Sequence, residues 1–100
     1  MARRLIWSGR ALDDLDAILS YIARDSPAYA RAVGQRMLAR VESLPDQPRQ
    51  GRRVPEYDGD RELREVFVHR WRLIYEVSAD KVRIITVIHG ARLLGNAGPL

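Results

Sequence analysis

The chain has 100 residues, 46% of them hydrophobic, and a formal net charge of +4. That length suits one domain with a single modest core, and the hydrophobic fraction argues against disorder. The absence of cysteine excludes disulfides and thiolate metal sites, and no apolar run reaches the roughly 20 residues of a membrane span.

The start, MARRLIWSGRALDDL, has no continuous apolar region after its arginines, so no secretory signal is expected. A reducing cytoplasm suits a chain without cysteine. Lys81 is the only lysine, so the positive charge is almost wholly arginine. Basic surfaces attract nucleic acid, acidic proteins or anionic membranes, and an arginine bias also arises from genomic base composition. Charge alone selects no partner.

Arg3 to Trp7 reads as a short edge strand, and Ser8 as the N-cap of a helix. Ala11, Leu12, Leu15, Ile18, Leu19 and Ile22 recur at helical spacing and form its apolar stripe. Asp13 and Asp14 are read as a solvated first turn matched to the helix dipole, with metal binding or catalysis as the alternative. Asp25-Ser26-Pro27 ends this helix and starts another, with Ser26 as cap and Pro27 at the first helical position. Its stripe is Ala30, Val33, Met37, Val41 and Leu44, and Gly34 implies close packing against the first helix. The two form a helical hairpin. Pro45 to Asp60 is a long loop with three prolines and the basic run Arg49, Arg52 and Arg53. A loop of this length in a small domain is functional or mobile, or its arginines are simply solvated. The tail from Leu93 to Leu100 lacks periodicity and is expected to be flexible.

Arg61 to Arg92 reads as three strands joined by two short reversals. With Ala79 and Asp80 as the second reversal, Val77 lies opposite Val82, Tyr75 opposite Ile84, and Leu73 opposite Thr86. Trp71, Leu73, Tyr75 and Val77, with Val82, Ile84, Thr86 and Ile88, then share the face that the helices cover. On the other face Glu76 faces Arg83, Ile74 faces Ile85, and Arg72 faces Val87. Arg70 lies near His89, and a turn at His69 and Arg70 brings Glu65 and Phe67 alongside, with Phe67 near Arg72. Arg70, Arg72, His89 and Arg92 thus gather at one end, with Glu65 the one carboxylate in view. That cluster is the candidate site. His89 has the right pKa range for a general acid or base, or it bonds the following turn. Arg72 and Arg92 suit a phosphate clamp or the acidic groups of a protein partner. No zinc spacing, glycine-rich phosphate loop or G-x-S-x-G elbow occurs, so no metal or cofactor is expected.

LDDLDAILSYIA in the first helix, HRWRLIYEV in the central strand and KVRIITVIHGAR at the end stand in an order that resembles the RelE/ParE toxin superfamily. The resemblance covers nearly the whole chain. It implies an α+β fold, with an N-terminal strand and helical hairpin packed on one face of a small, mainly antiparallel twisted sheet. It also implies a toxin of a type II toxin–antitoxin system, neutralised by a cognate antitoxin with which it forms an oligomer. RelE-like members cut mRNA on the ribosome, whereas ParE-like members inhibit DNA gyrase without being enzymes. Arg72 and Arg92 match arginines of the nuclease site, and His89 would join them there. Leu63 and Glu65 stand where the nucleases have lysines, and the tail has no tyrosine, although Arg61 or Arg64 could replace a lysine charge. Ile18, Tyr21 and Ile22, the long second helix and the turn from Ile88 to Arg92 are more ParE-like. The resemblance therefore points to a gyrase inhibitor, with a ribosome-dependent mRNA endonuclease or an inactive or nucleic-acid-binding relative as alternatives. Arg49, Arg52, Arg53, Arg64, Arg70 and Phe67 are the expected target- or partner-binding surface.

Overall fold

A computed structural model of the chain describes residues 3–97. In chain order the elements are β1 (Arg4–Trp7), α1 (Gly9–Ala23), α2 (Pro27–Ser43), β2 (Arg52–Arg53), β3 (Leu63–Val68), β4 (Trp71–Val77) and β5 (Lys81–His89), followed by a 3-10 turn at Leu94–Ala97. The strands form one sheet in the order β1-β5-β4-β3-β2. β1 runs parallel to β5, and every other pair is antiparallel. This is the expected α+β architecture, with the short basic strand β2 as an addition.

Both helix starts follow from their caps. The Ser8 hydroxyl accepts from the Ala11 amide at 3.0 Å and donates to the Ile85 carbonyl at 2.8 Å, so one side chain caps α1 and ties it to the sheet. Ser26 accepts from the Tyr29 amide at 3.1 Å, and Pro27 opens α2 where its missing N–H costs nothing. Gly34 faces α1, and a Cβ there would lie 3.2 Å from a Leu19 methyl, so the helices close on each other at this point. Two details of α1 differ from expectation. Leu12 is half exposed rather than part of the buried stripe. Asp14 lies beyond the first turn, where its carboxylate accepts from the Thr86 hydroxyl and from the Val87 amide at 3.0 Å. It is a tether between α1 and β5, not a solvated dipole partner.

The meander keeps the expected register at its closed end, with Val77 opposite Val82, Glu76 opposite Arg83 and Tyr75 opposite Ile84. A bulge at Ile74/Tyr75 then shifts everything beyond it by one residue. Ile74 pairs with Thr86, Leu73 with Val87, Arg72 with Ile88, and Trp71 with His89. An extra residue in one strand reverses which face each later side chain takes. Val87 therefore joins the core under the helices, and Ile88 moves to the opposite face. The β3–β4 reversal at His69 and Arg70 is a two-residue turn, with His69 held at φ 54° in the left-handed region.

The sheet is buried on both sides. Under the helices lie Val33, Met37, Val41, Leu73, Tyr75, Ile84 and Val87. On the far side Val54, Leu63, Ile74, Ile85, Ile88 and Leu94 form a second cluster, flanked by Tyr57. The loop after α2 supplies its cover and is firmly attached. The buried Tyr75 hydroxyl donates to the Pro48 carbonyl at 2.7 Å and accepts from the Gly51 amide at 3.1 Å. A Cβ on Gly51 would sit 2.4 Å from the Glu65 carbonyl oxygen, so only glycine allows the loop to pass this close to β3. The chain end, expected to be flexible from Leu93, instead folds back at once. Leu94 is buried in the second cluster, while residues 98–100 of that tail lie outside the described residues.

Candidate functional site

Arg72 is the centre of the far face, and the strand register sets its surroundings. Phe67 of β3 and Ile88 of β5 lie directly opposite it. Its Nε donates to Glu65 Oε1 at 2.7 Å. Nη1 donates to Glu56 Oε2 at 2.7 Å and to the Arg92 carbonyl at 2.8 Å. Nη2 donates to Glu56 Oε1 at 2.8 Å and lies 2.5 Å from Glu65 Oε1. A guanidinium has five N–H groups, and here four of them donate hydrogen bonds while Nη2 also lies in ion-pair contact with Glu65. The side chain is 5% exposed and that of Glu65 is fully buried. The expected cluster of unpaired cations is therefore not what the chain builds.

The missing partner is Glu56, delivered by the loop. Its carboxylate also accepts from the Leu94 amide at 2.9 Å, so one acidic group joins the loop, β4 and the chain end. The Arg72 hydrogen bonds pull its pKa down to about 2, against the opposing effect of burial, and Leu94 adds to the shift. Arg72 is raised in turn, chiefly by Glu56, then by Glu65.

The other basic residues divide by partner. Arg52 donates to Glu65 Oε2 at 2.6 Å and lies over the Phe67 ring at 5.7 Å. Arg49 grips Glu62 through two bonds of 2.9 and 3.0 Å, and Arg64 holds the same carboxylate at 2.7 Å and the Gly51 carbonyl at 2.9 Å. Glu62 is drawn down to about 2, first by Arg49 and then, against burial, by Arg64. Arg61 makes a similar fork on Glu76. Arg53 stands exposed on β2 opposite Arg64, and Arg70 is exposed at the turn, where its carbonyl accepts from Gly90 at 2.7 Å. Phe67 is 44% exposed, an open aromatic ring among arginines.

His89 is not beside Arg72. The bulge pairs it with Trp71, whose indole it meets edge-on at 5.5 Å, on the face that the helices share. Its Nδ1 accepts from the Ala91 amide at 3.1 Å, the turn-bonding role weighed above. With Arg10, Asp14, Trp71 and Arg92 it lines a cavity of about 310 Å³ at the end of α1. Arg92 thus touches both places, its carbonyl on Arg72 and its residue at the His89 cavity. The residues that sequence reasoning missed are Glu56 and Glu62. Both lie in or beside the irregular loop, where no periodicity predicts a partner. Among the described residues no group of histidines and carboxylates is arranged to hold a metal, and no helix is long and apolar enough to cross a membrane.

A strand and helical hairpin laid on a five-stranded mixed sheet is an arrangement also seen in two solved structures. A chain of the chromosomal ParDE TA system from P. aeruginosa superimposes with a TM-score of 0.72 at 24% identity, over 88% of this chain and 96% of that one. The archaeal RelE–RelB complex from Pyrococcus horikoshii gives 0.62 at 20% identity, over 92% and 99%. The fold is that of the RelE/ParE toxins.

Residues 5–94 match the family model described as the ParE toxin of the type II toxin–antitoxin system parDE, and the chain belongs to that family. Toxin RelE2 of Caulobacter vibrioides is 35% identical over 91 residues, which is 90% of this chain and 98% of the relative. The protein is thus a toxin component of the type II class, within the RelE/ParE superfamily.

Proposed function

We propose that this toxin acts by binding rather than by cutting, that its target is DNA gyrase, and that a cognate antitoxin neutralises it. The observation that carries the first part is the buried fork of Arg72, with hydrogen bonds from all three of its nitrogens to groups of the chain itself. An arginine that clamps a phosphate or stabilises a transition state needs free donors aimed at the ligand. Here those donors end on Glu56, Glu65 and the Arg92 carbonyl. His89, the one candidate acid or base of the set, pairs with Trp71 and so faces the other side of the sheet from Arg72. The gyrase target is supported by the ParE family match, together with the ParE-like first helix and final turn.

The antitoxin reading has its own support. A groove of about 510 Å³ runs between α1 and α2, lined by Leu19, Ala23, Pro27, Ala30 and Leu38. A mainly apolar groove on a helical hairpin suits the apolar side of an amphipathic partner segment. The solved neighbours of similar fold are a ParDE system and a RelE–RelB complex.

Purified toxin added to gyrase and relaxed plasmid, with no ribosome present, separates the readings. The expected result is inhibited supercoiling and accumulation of cleaved DNA, with mRNA on purified ribosomes left intact. Cleavage of ribosome-bound mRNA, with gyrase unaffected, would replace this proposal by the endonuclease reading.

A further inference from the structure

A second cleft of about 360 Å³ opens between the C-terminal half of α2 and the β3–β4 turn, where Arg36, Arg40, Ser43, Val68 and His69 line it. It lies on the other side of α2 from the apolar groove. At about 100° per residue, Pro27, Gly34 and Leu38 fall on the side towards α1, and Arg36, Arg40 and Ser43 on the opposite side. Val33, Met37 and Val41 turn to the core between them. On the sheet, Val66 and Val68 also turn under the helices, so the Phe67 ring between them takes the other face, with Arg52 over it at 5.7 Å. The His69 ring is already in edge contact with Tyr29 at 5.7 Å. Cations, rather than an open aromatic platform, define this cleft.

Two features set Arg36 and Arg40 apart from a plain solvated stripe. The first is missing neutralisation. Arg49, Arg52, Arg61, Arg64 and Arg72 each hold a glutamate, whereas among the described residues no carboxylate lines this cleft and neither of its arginines enters an ion pair. Arg36 and Arg40 stand one helical turn apart, a like-charged spacing that disfavours the helix by itself. The second is positioning. Arg40 Nε donates to Gln50 Oε1 at 2.9 Å, and Gln50 Nε2 donates to Ser43 Oγ at 3.0 Å and to the Gln47 carbonyl at 3.1 Å. The Ser43 hydroxyl in turn donates to the Arg40 carbonyl at 2.6 Å. This chain of neutral groups fixes the guanidinium without cancelling its charge, and a side chain fixed beforehand loses less freedom when a ligand arrives.

We infer that this cleft docks an acidic segment of a protein partner, with carboxylates about 6 Å apart, the rise of one helical turn, paired to Arg36 and Arg40. The inference stands on the cleft itself and holds whether the toxin acts on gyrase or on the ribosome. It is tested by fluorescence anisotropy on the whole protein, with a labelled octaglutamate peptide as probe and octathymidylate as the competing polyanion. The peptide should bind, and Arg36→Gln should weaken it about fivefold, the upper end for one exposed ion pair. Gln50→Ala changes no charge but frees Arg40, and should weaken binding about threefold, as expected for one side chain that must now be immobilised. Arg4→Gln removes the same charge as Arg36→Gln at an exposed site on β1, where Arg4 faces Asp80 at 4.0 Å, and should have no effect. Equal effects of Arg36→Gln and Arg4→Gln would mean diffuse charge and overturn the inference. So would indifference to Gln50→Ala, tighter binding of octathymidylate than of the peptide, or no binding of the peptide at all. Arg36 and Gln50 are exposed, so neither change empties the core, and circular dichroism confirms that each variant is folded.

Discussion

Replacing Arg72 by alanine is expected to cost about 3–5 kcal/mol of folding stability, the range for removing one member of a buried ion pair. The cost comes mainly from what is left behind. Glu65 is fully buried, and without Arg72 it retains only Arg52 as a charged partner. Glu56 loses the fork that ties the loop to β4. Small domains are stable by roughly 5–15 kcal/mol, so a loss of this size leaves much of the protein unfolded or aggregated in a cell. Urea denaturation of the purified variant measures it directly. A cost below about 1 kcal/mol would show that the buried network is not what holds this face together. The same reasoning bears on growth assays: lost toxicity on mutating Arg72 reports first on folding.

The second large effect is expected at Ile74. Leu73 and Ile74 are neighbours on β4, both fully buried, yet they point into different clusters. Ile74→Ala should therefore cost about 2–5 kcal/mol, the same range as Leu73→Ala, because each leaves a cavity among close-packed neighbours. If only the helix-covered face carried a core, Ile74→Ala would shift stability by no more than about 0.5 kcal/mol. Comparing the two denaturation midpoints decides between one core and two.

Both predictions rest on features that alternation in the sequence reaches only in part. The closed end of the meander was legible, because Val77, Tyr75, Val82 and Ile84 fit one face and Glu76 sits opposite Arg83. The bulge was not. Ile84 and Ile85 are identical, so nothing in the pattern marks where an extra residue enters. Misplacing it moves Ile88 and His89 to the wrong faces and brings His89 into a site it does not share. The two-sided burial had a visible signal: Leu73-Ile74-Tyr75 and Ile84-Ile85 are continuous apolar runs, as expected of strands covered on both faces. Glu56 had none, since a loop without periodicity gives no register from which to predict a contact with β4.

Arg72 is central to the functional account, as a rivet between loop, sheet and chain end rather than a ligand for phosphate. The direct test replaces the buried pair together, as Arg72→Met with Glu65→Gln, so that the fully buried carboxylate is not left charged, while the less buried Glu56 keeps its bond from the Leu94 amide. Exchanging a buried ion pair for neutral groups of similar size is often tolerated. The measurement is gyrase supercoiling in the presence of the purified double variant, after its fold has been checked by circular dichroism. Inhibition close to that of the parent protein is the predicted result. A double variant that is folded but inert, from a parent that is active, would contradict the account and return Arg72 to the reacting site.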